Sequence, residues 1–233
     1  MKKVIDDAVL QQAEAMIVEL MAPVGQGHGP EHAFRVRKMA LDFAESGCDK
    51  PLVSLIALLH DADDYKFFQG ESNAMRIMKA AGVPDDIVVK IKQELDNFGY
   101  AKRLTGKAPS MPEAKAVSDA DMCDIMGATG IIRLMEYNAQ YGHPFFDPDD
   151  KPLNPLTAET YTAVLHESPC RHMFDKVLRL PGFMLTEKGY AEACLRLQTT
   201  ASFLDALFRE EESTEWAGYL AKAVASGIKR QST

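Results

Sequence analysis

Three stretches of this chain set ionisable side chains on apolar helical faces. In "PLVSLIALLHD", residues 51–61, Val53, Ile56, Ala57 and His60 recur at helical spacing, and Asp61 falls beside them with Ser54 and Leu58. The segment is apolar almost all round, the pattern of a buried helix, so His60 and Asp61 are expected to leave from the interior. In "PEHAFRVRKMALDFAES", His32 heads a stripe of Val36, Met39 and Phe43, and Arg35 lies three residues on from it. In "PEAKAVSDADMCDIMGATGIIR", Asp121 shares a stripe with Val117, Ile125, Ala128 and Ile132, while Asp119 falls roughly opposite, with Lys115 and Met122. Helical phase therefore selects Asp121 as the inward carboxylate and leaves Asp119 to a supporting or surface position.

A buried carboxylate needs a partner or a metal to offset its desolvation. If the three helices meet, His32, His60, Asp61 and Asp121 form a site of two nitrogens and two oxygens, suited to a divalent ion such as manganese, iron, zinc or magnesium. The competing reading is ordinary: each histidine is a hydrogen-bonded core residue and no ion is involved. Periodicity alone leaves both open.

The elements that would position these groups all read as helices. Ile5, Val9, Ala13, Met16 and Leu20 predict a first helix, and "APVGQGHG" interrupts it before Pro30 opens the second. Helices follow over 51–61, 71–82 and 84–98, with Gly82 and Pro84 at the break, and a long one over 112–142, bent near Gly127 or Gly130. Residues 142–157 carry four prolines and no period, which predicts a loop, either a plain surface excursion or a lid. Two or three helices close the chain, the best of them at 186–211, and a short last one carries Trp216. No strand alternation appears, so the class is all-α.

Composition narrows the function. The chain has 233 residues, of which 46% are hydrophobic, and a net charge of -8, which argues against DNA as a partner. An anionic substrate would need local neutralisation. Cys48, Cys123, Cys170 and Cys194 form no CxxC pair, which points to a reducing cytoplasm. The acidic N-terminal stretch is not expected to be a signal peptide, and no apolar run suggests a membrane span. Oligomeric state is not readable from the sequence.

At these residues the sequence resembles the HD-domain superfamily of metal-dependent phosphohydrolases, and most closely a subgroup of stand-alone bacterial HD hydrolases. The ordered match comprises "HGPEHAFRV", "HDADDYK" and "DADMCDIMGATGIIR", followed by "HMFDKVLRL" and "MLTEKGYAEACLR", and it covers about residues 5–210. Gly29-Pro30 and Cys123 depart from the subgroup pattern; the first leaves the role of His28 open. The resemblance implies one HD-type domain over 1–233: a helical bundle with its core at about 5–140, the loop at 142–157 and additional C-terminal helices at 158–225. It implies His32, His60, Asp61 and Asp121 as ligands of one divalent ion (manganese or magnesium favoured, then iron, cobalt, nickel or zinc), and hydrolysis of a phosphorylated small molecule, with a nucleoside triphosphate or monophosphate favoured. No histidine lies between Asp61 and Asp121, where oxygenases and cyclic-nucleotide phosphodiesterases of the superfamily carry ligands for a second metal.

Asp64 matches a family carboxylate and is expected to act as general base or to orient water, with Asp63 the second choice. Lys66 matches a family lysine and, with Arg35, is expected to contact phosphate and stabilise the transition state. An ion pair with a ligand carboxylate is an equal possibility for Arg35. His172 and Lys176 match late subgroup positions and are further substrate-binding candidates. Arg133, Arg196 and the cluster Lys102, Arg103 and Lys107 are weaker ones. Two other classes stay open: an iron-dependent oxygenase, and a helical interaction module that keeps a metal for stability alone.

Overall fold

The structure, a computed structural model, describes residues 5–24, 29–163 and 168–230; His28 lies outside them. Among the described residues twelve α-helices follow in order: α1 Asp7–Met21, α2 Pro30–Phe43, α3 Lys50–Leu59, α4 Asn73–Ala80, α5 Asp85–Leu95, α6 Tyr100–Leu104, α7 Pro112–Asp124, α8 Gly127–Ala139, α9 Ala158–Ala163, α10 Pro169–Asp175, α11 Glu187–Glu210 and α12 Thr214–Gly227, with a 3-10 segment, Val177–Phe183, between α10 and α11. No strand occurs among the described residues, as the all-α reading requires.

The chain gathers into two compact units, neither continuous in sequence: residues 1–98 with 108–121, and residues 99–107 with 122–233. In the first unit α3 is the central element. Every residue from Val53 to Leu59 is buried, and α1 and α2 pack against it. Local chemistry starts its helices where the sequence offers caps. The Asp6 carboxylate accepts the Val9 amide at α1, Asp49 accepts Leu52 at α3, and the Ser72 hydroxyl accepts Met75 at α4. Helix α4 packs on α5 and on α1.

In the second unit the long α11 packs against α8, α12 and the 3-10 segment, and α6 packs on α9. Trp216 is fully buried, with the rings of Phe146, Phe174 and Phe208 at 5.4, 5.1 and 5.7 Å. The expected long helix over 112–142 is two helices. It breaks after Asp124 and restarts at Gly127, whose φ of +69° suits glycine. A Cβ at Gly130 would stand 2.1 Å from the Ile125 backbone. The stripe through Asp121 therefore does not continue, and Ile132 is 57% exposed.

The proline-rich segment 142–157 is irregular, as expected, but it is tied down within its unit. The Phe145 carbonyl accepts the Cys170 amide, Asp150 accepts the Ser168 amide and pairs with Arg171, Leu153 donates to Asp175, and the Trp216 indole donates to the Pro148 carbonyl. Five anchors of this kind favour the surface excursion over a swinging lid. No helix among the described residues is long and apolar enough to cross a membrane.

Candidate metal centre

His60 is the C-cap of α3, so the buried helix ends at the histidine and Asp61 begins the turn beyond it. The His60 Nδ1 lies 2.8 Å from the Ala57 carbonyl, an oxygen that can only accept. Nδ1 therefore carries the proton and donates it, which leaves Nε2 directed into the site as a potential ligand. His32 occupies the buried face of α2 together with Ala33, Val36 and Ala40. The two Nε2 atoms meet at 3.1 Å, and the rings cross at 69°.

The carboxylates complete the group. Asp61 Oδ2 stands 3.4 Å from both Nε2 atoms, and Asp121 Oδ1 stands 3.4 Å from that of His32 and 3.6 Å from that of His60. All four residues belong to the first unit. Donors bound at about 2.1 Å lie roughly 3.0 Å apart at octahedral angles and roughly 3.4 Å apart at tetrahedral ones. The spacings to the imidazoles, 3.1–3.6 Å, lie in that range or just beyond it, so the two nitrogens with the carboxylate oxygens facing them suit a divalent first-row ion or magnesium. Among the described residues, His32, His60 and Asp121 form the one group whose donor atoms all lie within 4.8 Å of one another; Asp61 faces both imidazoles but is not part of that mutual group. The imidazoles are 4% and 1% exposed, but the carboxylates of Asp61 and Asp121 are 25% and 29% exposed. The centre is closed on its nitrogen side and open on its oxygen side.

Electrostatics carry the same message. Burial disfavours a charged His60, yet the Asp61 and Asp121 carboxylates outweigh it and hold the imidazole well above its ordinary pKa. Burial likewise opposes ionised Asp61 and Asp121, and the facing histidines hold both well below the usual carboxylate range. Without an ion, the centre retains positive charge as a proton.

Asp64 is half-buried. Its Oδ1 accepts the Lys66 amide at 3.0 Å, and its other oxygen has no protein partner among the described residues. Lys66 is exposed and forms no ion pair among the described residues. Arg35 is half-buried on α2. His172, on α10, and Lys176, its C-cap, are half-buried in the second unit.

Several expectations are corrected. Of the supporting and surface positions open to Asp119, the surface one is excluded: Asp119 is fully buried, because Ala116–Ala120 of α7 are buried on every side. Asp63, the second choice for general base, is instead held by the start of α4, its carboxylate accepting the Ser72 hydroxyl at 2.6 Å and the Ala74 amide at 3.1 Å. Arg103 is buried and donates to the Phe183 carbonyl, Arg133 pairs with buried Asp124 at 2.7 Å, and Arg196 pairs with Glu192 at 2.7 Å. All three guanidinium groups thus have protein partners. Sequence reasoning passed over buried Glu94, which accepts the Ser110 and Met111 amides ahead of α7. The signal was weak: one glutamate in a helix with acidic residues elsewhere.

No protein-family model matches the chain. Among curated proteins it is similar to YpgQ of Bacillus subtilis, 26% identical over 187 residues that make up 76% of this chain and 83% of that one. Among solved structures, a protein from Lactobacillus plantarum aligns with a TM-score of 0.81 at 26% identity, over 90% of this chain and 99% of that one. YpgQ crystallised with ADP aligns at 0.64 and 24% identity over 87% and 96%. An HD-superfamily hydrolase from Bacillus thuringiensis aligns at 0.65 and 23% identity over 88% and 97%. The last two likenesses concern the fold.

Proposed function

We propose that this chain, which has the fold of the HD-domain superfamily, is a metal-dependent phosphohydrolase acting on a small phosphorylated substrate, a nucleoside triphosphate or monophosphate. The observation that carries the reading is that the His32 and His60 Nε2 atoms stand 3.1 Å apart, with one oxygen of Asp61 and one of Asp121 each 3.4–3.6 Å from them, and with the oxygen side open. The crystallisation of YpgQ with ADP supports a nucleotide as the ligand class.

A divalent cation held by these four residues, manganese or magnesium by preference, would act as a Lewis acid that acidifies water and polarises phosphorus. The chain's own groups do the rest. Asp64 has one carboxylate oxygen committed to the Lys66 amide and the other available to take a proton from the attacking water. Lys66 offers an ammonium against phosphate charge, and Arg35 a second cation from α2. His172 and Lys176 remain candidates for substrate contact through their match to the subgroup. We treat 1–233 as one functional domain. The four cysteines are free thiols, which suits a reducing cytoplasm.

The iron oxygenase alternative requires a second metal group, and the described residues contain one group only. A merely structural metal would leave Asp64 and Lys66 without a task. The test is turnover of a nucleotide panel with manganese, magnesium and cobalt, resolving orthophosphate from pyrophosphate. Metal-dependent release of either product supports the proposal. Absence of turnover across the panel from protein that binds metal favours the structural module.

A further inference from the structure

The two oxygen ligands are the less secured half of this centre. His32 and His60 come from α2 and the end of α3, which pack together in the core. Asp61 instead lies on a turn after α3, and Asp121 lies nine residues into α7 from Pro112. The turn is closed by two backbone bonds, from the Ala62 amide to Leu59 and from Asp64 to Asp61. What fixes it to the scaffold is Asp63, two residues past the ligand. Its carboxylate accepts Ser72 and Ala74 at the start of α4, and the ammonium of Lys92 of α5, hydrogen-bonded to Asp96 at the end of its own helix, completes the surroundings at 3.7 Å as an ion pair. Helix α7 is fixed from the same place. Glu94, two residues after Lys92, is buried and accepts the Ser110 amide at 2.6 Å, the Met111 amide at 3.2 Å and the Ser110 hydroxyl. Buried Val88 and Ile91 seat α5 itself.

We infer that α5 is a brace for the carboxylate half of the metal centre, with Lys92 and Glu94 as its positioning residues: one grips the turn that carries Asp61, the other the start of the helix that carries Asp121. A helix rises about 1.5 Å per residue as a stiff rod, so a displaced start of α7 is transmitted to Asp121. The inference rests on the proposed function, because it assigns a purpose to those ligand positions.

A brace of this kind acts on oxygen donors and spares the imidazoles. Manganese depends on its oxygen ligands, whereas nickel is well served by imidazole. The test measures Mn²⁺ and Ni²⁺ affinity by isothermal titration for the full chain and for Glu94→Gln and Lys92→Met, with thermal melts alongside. In Glu94→Gln the carboxamide oxygen can still accept the Ser110 and Met111 amides, but as a neutral acceptor, while its NH2 turns to the Ser110 hydroxyl, so the charge-assisted grip on α7 is weakened at almost constant shape. The expected result is a loss of about 10- to 100-fold in Mn²⁺ affinity, with a smaller loss for Ni²⁺. Lys90→Ala, on an exposed position of the same helix, leaves both unchanged. Should Glu94→Gln fail to fold, Lys92→Met carries the test from the partly exposed end. Equal losses for both metals, or no loss, overturn the brace while leaving the proposed function standing. Wild-type chain that takes up neither metal overturns the proposed function, and the brace with it.

Discussion

Metal uptake by this centre should expel a proton, and the structure fixes where that proton sits. In the metal-free protein the His60 Nδ1 hydrogen goes to the Ala57 carbonyl, while Asp61 and Asp121 hold the ring charged well above the ordinary histidine pKa. The additional proton is therefore on Nε2, the nitrogen an ion needs. Below the raised His60 value each pH unit should weaken binding about tenfold, or about 1.4 kcal/mol; above it the affinity should level off. Asp61 and Asp121 add no slope near neutrality, because both are held below the usual carboxylate range. Titration calorimetry in buffers of different ionisation enthalpy counts the protons, and repetition from roughly pH 6 to 8 gives the slope. One proton released per ion below the plateau is the expected count. A flat affinity with no proton released would refute the assignment of His60 as a ligand.

The same shifts set the stability of the metal-free protein. His60 is raised in the folded state, so its contribution is full below about pH 6.5 and is lost as pH climbs through the folded value. Asp61 and Asp121 are lowered, so theirs is full above about pH 3.9 and is lost as pH falls through their folded values. Metal-free melts should therefore peak on the acid side of neutrality, and added metal should recover most stability at alkaline pH; a metal-free optimum on the alkaline side would contradict this. Asp64→Asn should lower kcat by about 10²- to 10⁴-fold while metal content stays unchanged, read by steady-state kinetics and elemental analysis. Asp119→Asn should cost about 1–3 kcal/mol in urea denaturation, because Asp119 is fully buried, yet retain the ion.

The site was more legible in the sequence than the architecture around it. His32, His60 and Asp61 stand out because an ionisable group on an apolar stripe contradicts the period of its own helix. Asp121 was selected over Asp119 by phase, and its Oδ1 stands 3.4 Å from the His32 Nε2. For Asp119 the phase argument left a supporting and a surface position open, and burial removes the second. Phase assumes that a helix has one wet side, and α7 is buried all round over Ala116–Ala120. Periodicity also ran straight through the break at Gly127, since a positive φ and the close approach of Gly130 to the Ile125 backbone leave the hydrophobic pattern intact. Helix α6 is five residues long, too short for a period to show. Asp63 and Glu94 were out of reach for another reason: their partners, Ser72 and Ser110, are set by tertiary structure. No shift in composition marks the points where the chain passes between its two units.

The central claim is that four side chains from three segments of the chain address one cation. Crystals grown with manganese and measured for anomalous scattering test it directly. The account predicts a single peak per chain, about 2.0–2.4 Å from His32 Nε2, His60 Nε2 and carboxylate oxygens of Asp61 and Asp121. A map with no peak among those four residues, or with the ion on other residues, would contradict it.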